Sequence, residues 1–340
     1  MNESLKVSVV INSYKNLQKL ESCVKAVIET LYDNKEIIVV SYGIPKISIK
    51  ASNVNSYIDK LILLKEDLGL PAQRNIGFKA RSNNSKYVLF VDDDVLLTKL
   101  SIKNLISVLE KNPHIGVAQP LLVTPNGHID CIGGFIDFLG YSYMPFHGES
   151  LSSFNARREY IPISYAAGAC CCLRVDYFLG SKHFQPFDDS FYFNYEDADL
   201  SLRAWIRGID VVCIPSAIAI HERGRTASLK RAPNHFIFLD TRNKFVSLTS
   251  VLEPRMLFVY IPFFIIFELL KAIYLLAIHP VHAFLTFKAI LCCLKGFKEI
   301  WMRRKIVRKI AVKNNKLSSV IYKPAFSALI REFKIHYGLI

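Results

Sequence analysis

An apolar tetrapeptide that runs directly into three aspartates constrains the fold of this chain more than any other feature of its sequence. Residues 88–91, Val-Leu-Phe-Val, are followed at once by Asp92, Asp93 and Asp94. A short apolar run is typical of a buried parallel strand, and ligands of open α/β sheets bind just beyond the carboxyl ends of such strands. Adjacent carboxylates repel one another unless a cation lies among them, and hard oxygen ligands suit Mg²⁺ or Mn²⁺ together with substrate phosphates. The triplet alone does not exclude the alternative, a solvated acidic turn.

The segments around the triplet predict an α/β fold with a mostly parallel sheet. Residues 7–11 and 36–40 are apolar enough for buried strands, and residues 17–31 between them have helical periodicity. Such a β-α-β unit implies a right-handed crossover and a parallel sheet. Pro71 suits the first turn of a second helix that extends to about Arg81. Further strands are predicted at residues 61–64, 87–91, 116–120 and 211–215, further helices at residues 102–111 and 196–207, and a polar loop at residues 221–226.

The positive charge of the chain is concentrated near its C-terminus. The 340 residues carry a formal net charge of +14, and residues 295–340 contain twelve Lys or Arg against two Glu. A basic segment beside an apolar one favours an anionic membrane surface over nucleic acid, for which the sequence has no aromatic-basic motif. The eight cysteines include no CxxC pair, and the polar residues 1–6 lead into a strand without a signal peptide. The missing CxxC spacing makes a zinc site unlikely, and the three adjacent cysteines at residues 170–172, in an apolar run, favour core positions in a reducing compartment.

A change in composition near residue 253 predicts a membrane-associated region. Residues 256–267 contain no charged side chain, and from residue 256 to residue 280 the only full charges are those of Glu268 and Lys271. These two residues are three apart on a helix and are able to pair. The pattern predicts apolar helices that associate with a membrane, either as a spanning hairpin or as interfacial helices.

Three regions follow from this pattern. We predict a catalytic domain at residues 1–252, an apolar helical membrane-associated region at residues 253–300 and a basic tail at residues 301–340. The positive-inside tendency places the catalytic domain and the tail at the cytoplasmic face of the cell membrane. A chain that ends after Leu252 is expected to be soluble.

Several short motifs follow one another in a defined order along residues 7–252. They are the strand into Asn12-Ser13-Tyr14, residues 69–77, the aspartate triplet, Gly168-Ala169, the run from Tyr195 to Leu200, His221 and Thr241-Arg242-Asn243. Each motif is weak alone, but in this order and spacing they resemble the family 2 glycosyltransferases, which have the GT-A nucleotide-sugar fold. The best match is to rhamnosyltransferase-like, membrane-associated members that build surface polysaccharides and other glycans.

The resemblance implies a nucleotide-diphosphate sugar as donor and a divalent metal, Mg²⁺ or Mn²⁺. Asp92 and Asp94 match the Asp-x-Asp motif, in which Asp94 would contact the metal and Asp92 the ribose or the metal. His221 would approach the metal or the diphosphate, and the metal would act as a Lewis acid on the leaving group. The other residues that the resemblance assigns to the donor are Asn12, Tyr14, Ser41, Arg74 and Asp93.

On the acceptor side, the resemblance assigns the sugar-binding pocket to Gly168 and Ala169. Successive helix residues point about 100° apart, so the adjacent Glu196 and Asp197 cannot face one hydroxyl equally well. The resemblance makes Asp197 the general base and Glu196 an acceptor-binding or orienting neighbour, and attack opposite the leaving group inverts the anomeric carbon. Taken alone, the two acids are also compatible with favourable charges at a helix N-terminus.

The sequence departs from the family pattern after the second predicted strand. Family members usually carry an aspartate there that helps to read the nucleotide base, whereas this chain has Ser41-Tyr42-Gly43. Asp59 and Asp67 are candidates to replace that carboxylate, and spacing does not select between them. The base and the sugar of the donor therefore remain open at this level.

The leading hypothesis is an inverting, metal-dependent glycosyltransferase that acts on a hydroxyl of a lipid-linked glycan. A sugar transferase that acts on polyprenyl phosphate is the alternative within the same class, because the apolar C-terminal helices permit it. An inactive GT-A domain that serves as a membrane scaffold and a metal-dependent nucleotidyltransferase are alternatives from other classes. The intact triplet and Asp197 argue against the scaffold.

Overall fold

The computed structural model describes residues 5–179, 185–222, 234–313 and 315–322. Within these residues the strands are β1 (Val7–Tyr14), β2 (Lys35–Tyr42), β3 (Lys60–Leu64), β4 (Tyr87–Asp92), β5 (Val95–Leu97), β6 (Ile115–Val123), β7 (Ile129–Cys131), β8 (Phe135–Asp137), β9 (Ser142–Tyr143), β10 (Ile161–Pro162), β11 (Cys170–Arg174), β12 (Asp210–His221) and β13 (Ile321–Tyr322). The helices are α1 (Leu17–Ile28), α2 (Lys46–Ala51), α3 (Leu70–Ala80), α4 (Ser101–Lys111), α5 (Glu196–Ile206), α6 (Asn234–Val251), α7 (Pro254–Ile278), α8 (Pro280–Lys295), α9 (Phe297–Arg308) and α10 (Leu317–Val320).

The large sheet is parallel over most of its width. The neighbouring strands β4, β1, β2 and β3 are all parallel, and β6 runs parallel to β12. The antiparallel β11 lies between β4 and β6 and joins the two groups. The carboxyl ends of β1, β2 and β4 meet at one edge, where Asn12 pairs with Asp92 and Ser13 pairs with Ser41. The predicted α/β class with a mostly parallel sheet is confirmed.

Both faces of the sheet are covered by packed side chains, which explains the uninterrupted apolar runs of its strands. Val10 and Phe90 belong to the cluster on one face, whereas Val9 and Leu89 belong to the cluster on the other. Helix α1 packs on the second face through a stripe that includes Val24. Burial of both faces holds the strand ends, and therefore the triplet, in a rigid frame.

Strand β12 is longer than predicted, and His221 therefore lies in a strand rather than in a loop. The predicted strand at residues 211–215 ends at a proline, but β12 continues beyond Pro215 because its register against β6 shifts between Ile214 and Ile218. Such an irregularity accommodates proline, which cannot donate to the ladder. His221 is the last residue of β12 and pairs with Val95 rather than lying in a polar loop. Residues 223–226 of that predicted loop lie outside the described residues.

The C-terminal helices pack against residues 1–252. Helix α7 is the one described helix that is long and apolar enough to cross a membrane, while α8 and α9 are bent by 67° at Gly296. From α9, Arg304 donates to the carbonyls of Thr249 and Leu252, and these contacts cross the boundary predicted at residue 252. Residues 323–340 of the predicted basic tail lie outside the described residues.

Candidate active site

The middle aspartate of the triplet links the ends of two strands. Asp93 accepts hydrogen bonds from the hydroxyl of Ser13 (2.8 Å) and from the backbone N–H of Tyr14 (3.1 Å). Burial raises the pKa of Asp93 to about 6, and these two hydrogen bonds offset the effect only in part. Asp93 therefore holds the end of β1 beside β4, which positions Tyr14 at the edge where the donor is predicted to bind.

Asp94 and His221 form the pair of side chains in this site that is best suited to a metal. Oδ1 of Asp94 lies 3.5 Å from Nε2 of His221, and Oδ2 of Asp94 lies 3.2 Å from the ammonium of Lys19 on α1. Burial alone would raise the pKa of Asp94, but the hydrogen bond with His221 and the charges of His221 and Lys19 outweigh it and hold the pKa well below its usual range. Asp94 is therefore a carboxylate with a strong preference for a cation beside it.

The other nitrogen of His221 is held by a carboxylate that the sequence did not single out. Nδ1 of His221 lies 2.8 Å from Oδ2 of Asp130, a residue of β7 that is 1% exposed. Burial lowers the pKa of His221, but the hydrogen bonds to Asp130 and Asp94 outweigh it and raise the pKa to about 9. Asp130 is an isolated acid in a weakly patterned segment, so only the fold brings it to the site.

The donor set of this site fits a magnesium or manganese ion that also binds substrate phosphates. Among the described residues, no group of three or more His, Cys, Asp or Glu side chains is arranged to hold a metal ion. Magnesium keeps few protein ligands and is usually bound by one or two carboxylates plus phosphate oxygens. A carboxylate from Asp94 and an imidazole from His221 match that number if the metal displaces the proton that Nε2 of His221 directs at Asp94. Asp92, predicted to contact the ribose or the metal, lies beside them.

Arg74 connects the triplet to the helix that carries the predicted base. Its Nη1 donates to Oε1 of Glu196 at 2.7 Å, and its Nη2 donates to Asp92 at 3.2 Å. Arg74 is 1% exposed, so the prediction that it contributes to donor binding would require an indirect effect through Asp92. A Cβ atom on residue 168 would lie 2.6 Å from Nη1 of Arg74, which explains why a glycine stands at Gly168.

Gly168 and Ala169, the predicted acceptor-pocket residues, connect the predicted base Asp197 to the triplet through backbone hydrogen bonds. The N–H of Gly168 donates to Oδ2 of Asp197 at 2.9 Å. The carbonyl of Ala169 accepts a hydrogen bond from the N–H of Asp92, also at 2.9 Å. The segment just before β11 therefore fixes the position of Asp92 relative to Asp197.

Glu196 and Asp197 are adjacent in sequence but differ in their surroundings. Glu196 is buried, with one oxygen bonded to Arg74 and the other without a hydrogen-bond partner among the described residues. Asp197 is partly exposed and accepts hydrogen bonds from the N–H groups of Gly168 and Ala198. Burial raises the pKa of both carboxyl groups. Because a base must reach its proton, the partly exposed Asp197 is better placed than the buried Glu196 to receive one from an acceptor.

The loop that leads into α5 contains three residues with left-handed backbone conformations. Tyr192, Asn194 and Tyr195 have φ values of 59°, 65° and 70°. Each such residue costs on the order of 1–3 kcal/mol and persists only where its surroundings impose it. The buried side chain of Asn243 supplies part of that constraint, because its Nδ2 donates to three carbonyls of the loop. These are the carbonyls of Phe191, Phe193 and Asn194 at 3.0, 3.0 and 2.8 Å.

The structure distinguishes between the two aspartates that spacing left open. Oδ2 of Asp59 accepts a hydrogen bond from the N–H of Ile37 at 2.7 Å, so Asp59 stabilises the edge of β2. Asp67 accepts a hydrogen bond from the N–H of Gly69 and interacts electrostatically with Lys15 and Tyr192. Asp67 therefore belongs to the carboxyl edge of the sheet, whereas Asp59 does not.

Aromatic and polar groups complete this edge. The rings of Tyr14 and Tyr42 are 5.6 Å apart, and the ammonium of Lys15 lies 4.8 Å from the centre of the first ring and 5.6 Å from that of the second. Asn12 and Ser41 are buried at the same strand ends, and their side-chain polar atoms have no hydrogen-bond partner among the described residues. The edge thus offers aromatic faces and unsatisfied polar groups beside the triplet.

A family model matches the segment that carries the triplet. The model is described as Glycosyl transferase family 2, and it matches residues 8–179, which is just over half of the chain. The chain belongs to glycosyl transferase family 2. This result confirms the resemblance drawn from the motifs, and it covers the triplet and Gly168-Ala169 but not Asp197 or His221.

Two curated relatives of this family 2 chain are similar over part of its length. An uncharacterized glycosyltransferase of Haemophilus influenzae is 31% identical over 112 residues, which are 32% of this chain and 34% of the relative. Glycosyltransferase GlyA of Streptococcus pneumoniae is 36% identical over 91 residues, which are 26% of this chain and 13% of the relative. The matches span about a third or less of these relatives' length.

Solved structures with the same fold include two glycosyltransferases. GalNAc-T7 with UDP, GalNAc and Mn²⁺ has a TM-score of 0.56 at 16% identity, and the match covers 74% of this chain and 48% of that one. TarS 1–349 of S. aureus with UDP-GlcNAc has a TM-score of 0.51 at 16% identity, and the match covers 76% of this chain and 71% of that one. The predicted GT-A fold is therefore confirmed.

Proposed function

We propose that this protein is an inverting, metal-dependent glycosyltransferase that moves a sugar from a nucleotide diphosphate to a hydroxyl of a lipid-linked glycan. The observation that carries the proposal is the bridge made by Arg74, which bonds Asp92 of the triplet and Glu196 beside Asp197. This bridge ties the donor and acceptor residues into one site. Membership of the glycosyl transferase family supports the reaction class.

On the donor side, Asp94 and His221 would hold Mg²⁺ or Mn²⁺, which supplies Lewis-acid stabilisation of the diphosphate leaving group. Lys19 lies beside Asp94 and adds positive charge close to the same phosphates. Tyr14, Ser41 and Asp67 lie at the edge where the nucleotide would bind. The UDP and Mn²⁺ in GalNAc-T7 and the UDP-GlcNAc in TarS support this class of donor.

On the acceptor side, Asp197 would take the proton of the attacking hydroxyl. The acceptor oxygen then forms a bond to the anomeric carbon while the bond from that carbon to the diphosphate oxygen breaks, and the nucleoside diphosphate leaves with the electron pair. A single displacement of this kind inverts the anomeric centre. The partial exposure of Asp197 and its raised pKa support the role of base.

The acceptor is proposed to be membrane-bound because the catalytic domain is followed by apolar helices. Helix α7 is mostly exposed and has the length and composition of a membrane helix. We retain the three proposed regions, with a catalytic domain at residues 1–252, a membrane-associated region at residues 253–300 and a basic tail at residues 301–340. Their proposed place is the cytoplasmic face of the membrane, where nucleotide sugars would be available.

The proposal is tested by Asp94→Ala, with Asp176→Ala as a matched control because Asp176 is an exposed carboxylate outside the site. Release of nucleoside diphosphate from a panel of nucleotide sugars is measured with and without Mn²⁺. In parallel, thermal unfolding is followed with nucleoside diphosphate, because a ligand that binds only the folded state raises the melting temperature. We expect Asp94→Ala to lose both the activity and the Mn²⁺-dependent part of the thermal shift, and the control to keep both.

Each contrary outcome identifies a different error. Unchanged Mn²⁺ dependence in Asp94→Ala would show that Asp94 is not a metal ligand. Release of pyrophosphate instead of nucleoside diphosphate would identify a nucleotidyltransferase. Donor binding without any turnover, even with added lipid-linked glycan or polyprenyl phosphate, would support the alternative that the protein is an inactive membrane scaffold.

A further inference from the structure

Helix α7 has two faces with different neighbours. Its buried residues recur every three or four positions, which places them on one side of the helix. They are Leu257, Tyr260, Phe264, Glu268, Ala272 and Leu275. The opposite side is apolar and exposed, and it includes Phe258, Phe263, Ile266, Leu270 and Ile273. One side of α7 thus packs on protein along most of the helix, whereas the other is covered by nothing in the described residues.

The middle of α7 is attached to the catalytic domain by a buried polar contact. Oε1 of Glu268 lies 3.6 Å from the ammonium of Lys244 on α6 and accepts a hydrogen bond from the hydroxyl of Tyr141 at 2.5 Å. Lys271 on α7 pairs with the other oxygen of Glu268. Glu268 is fully buried and Lys244 is 2% exposed. Separation of α7 from the domain would leave these buried charges without their partners, which is strongly destabilising.

This contact is incompatible with a transmembrane position for α7. A helix of 25 residues is about 37 Å long and could cross a bilayer, with its middle at the bilayer centre. Lys244 and its neighbours Asp240 and Arg242 would then also lie near the centre, because Glu268 is bound to α6. Charged side chains are unfavourable at the bilayer centre, and this position would bring several of them there together.

We propose that α7 lies in the plane of the membrane, with its buried face on the catalytic domain and its exposed face in one leaflet. This inference rests on the proposed membrane association and adds its geometry. Helix α9 has the composition of an interfacial helix, since Trp301, Met302 and Ile306 are exposed beside Lys298 and Lys305.

Charge identifies the occupant of this face as an anionic lipid surface. Among the exposed side chains of residues 253–313 there are more cations than anions. The exposed cations are Arg255, Lys288, Lys295, Lys298, Lys305, Lys309 and Lys313, and the exposed anions are Glu253 and Glu299. Anionic headgroups attract such residues near the membrane surface. These cations belong to the same C-terminal segment as the apolar face, a combination that a soluble partner would not need.

The test measures the depth of three positions along the exposed face in lipid vesicles. In the full chain with the exposed Cys292 replaced by serine, single cysteines are introduced as Phe258→Cys, Ile266→Cys and Ile273→Cys and are spin-labelled. The accessibility of each label to oxygen and to a polar relaxation agent reports its depth. Ile47→Cys on α2 is the matched control, because Ile47 is also apolar and exposed but lies on the catalytic domain.

If α7 lies in the plane of the membrane, the three labels will have nearly the same shallow depth, and the control label will remain in water. A spanning helix would separate the first and last labels by about 22 Å along the bilayer normal, since they are 15 residues apart. We also expect binding to vesicles with anionic lipid to be at least about tenfold tighter than binding to neutral vesicles.

The contrary outcomes are distinct. A steep change of depth from residue 258 to residue 273 would overturn the in-plane arrangement while leaving membrane association in place. Labels that interact with one another and exclude oxygen would show that a second copy of the chain covers the face, which also overturns it. Failure to bind any vesicle would refute the proposed membrane association itself, whereas catalysis of donor hydrolysis would be unaffected by that result.

Discussion

Nδ1 of His221 lies 2.8 Å from a carboxylate oxygen of Asp130, while Nε2 of the same ring faces Asp94 at 3.5 Å. The carboxylate of Asp130 therefore fixes the orientation of the ring, and it would keep the remaining proton on Nδ1 when a metal binds at Nε2, as carboxylates behind metal-binding histidines commonly do. The proposed metal ligand is thus held through the ring nitrogen opposite the one that faces Asp94.

We predict that Asp130→Asn weakens Mn²⁺ binding by roughly 10–100-fold, because the ring of His221 loses its charged partner. Binding is measured by the electron paramagnetic resonance signal of free Mn²⁺ in the presence of nucleoside diphosphate. In a His221→Ala background the same substitution should have no further effect. An equal loss in both backgrounds would show that Asp130 acts on the fold rather than through His221.

We predict that Asp197→Asn lowers turnover by about 10²–10⁴, the usual contribution of a general base, and leaves donor binding nearly intact. The amide keeps the size of the side chain but cannot take the proton. Turnover is measured with a saturating acceptor, and donor affinity is measured by thermal shift.

Glu196→Gln provides the comparison for the base. Because Glu196 is bonded to Arg74, we expect this variant to lose stability and to keep a larger share of turnover than Asp197→Asn. The roles of the two acids would have to be exchanged if Asp197→Asn retained its turnover and Glu196→Gln lost it.

We predict that Asn243→Ala lowers the free energy of unfolding by about 1–3 kcal/mol, because it removes the amide that binds three carbonyls of a strained loop. The loop carries Tyr192 and leads to Asp197, so kcat should fall as well. Ser247→Ala is the control on the same helix, since Ser247 is buried and its hydroxyl has no hydrogen-bond partner among the described residues. Equal losses of stability in the two variants would contradict a specific role for Asn243.

We predict that a chain cut after Leu252 is less stable than the full chain, whether or not the shorter chain is soluble. The cut removes Arg303, whose guanidinium contacts the fully buried Asp199 on α5 at 2.8 Å. It also removes Arg304 from the carbonyls of Thr249 and Leu252. Melting temperatures of the two chains in the same detergent provide the measurement. Identical values would show that α9 contributes nothing to the catalytic domain.

Local sequence patterns were sufficient for the fold and for most of the candidate site. The apolar runs at β1, β2 and β4 and the periodicity of α1 depend on neighbours in sequence, so strands, helices and the parallel sheet could be predicted from them. The triplet was predictable for the same reason, since Asp92 ends the buried strand β4 and Asp93 and Asp94 directly follow it.

Residues that act through long-range contacts could not be predicted in this way. Asp130 and His221 are 91 positions apart, and Arg74 and Glu196 are 122 positions apart. No local pattern marks Asp130 as a partner of histidine, and Arg74 carries no sign that its guanidinium is buried. The choice between Asp59 and Asp67 stayed open for the same reason, because spacing does not reveal which of them reaches the carboxyl edge of the sheet.

The sequence by itself determined the family, the α/β sheet and the acidic triplet, because these depend on residue types and on spacing along the chain. Only the tertiary structure decided how the two acids of the Glu196-Asp197 pair differ, because burial and partners arise from distant segments that pack together. It also decided that the charged pair of α7 is attached to Lys244 of the catalytic domain. Hydropathy measures how well a helix suits lipid, whereas the contacts of the folded chain determine which of its faces is available to lipid.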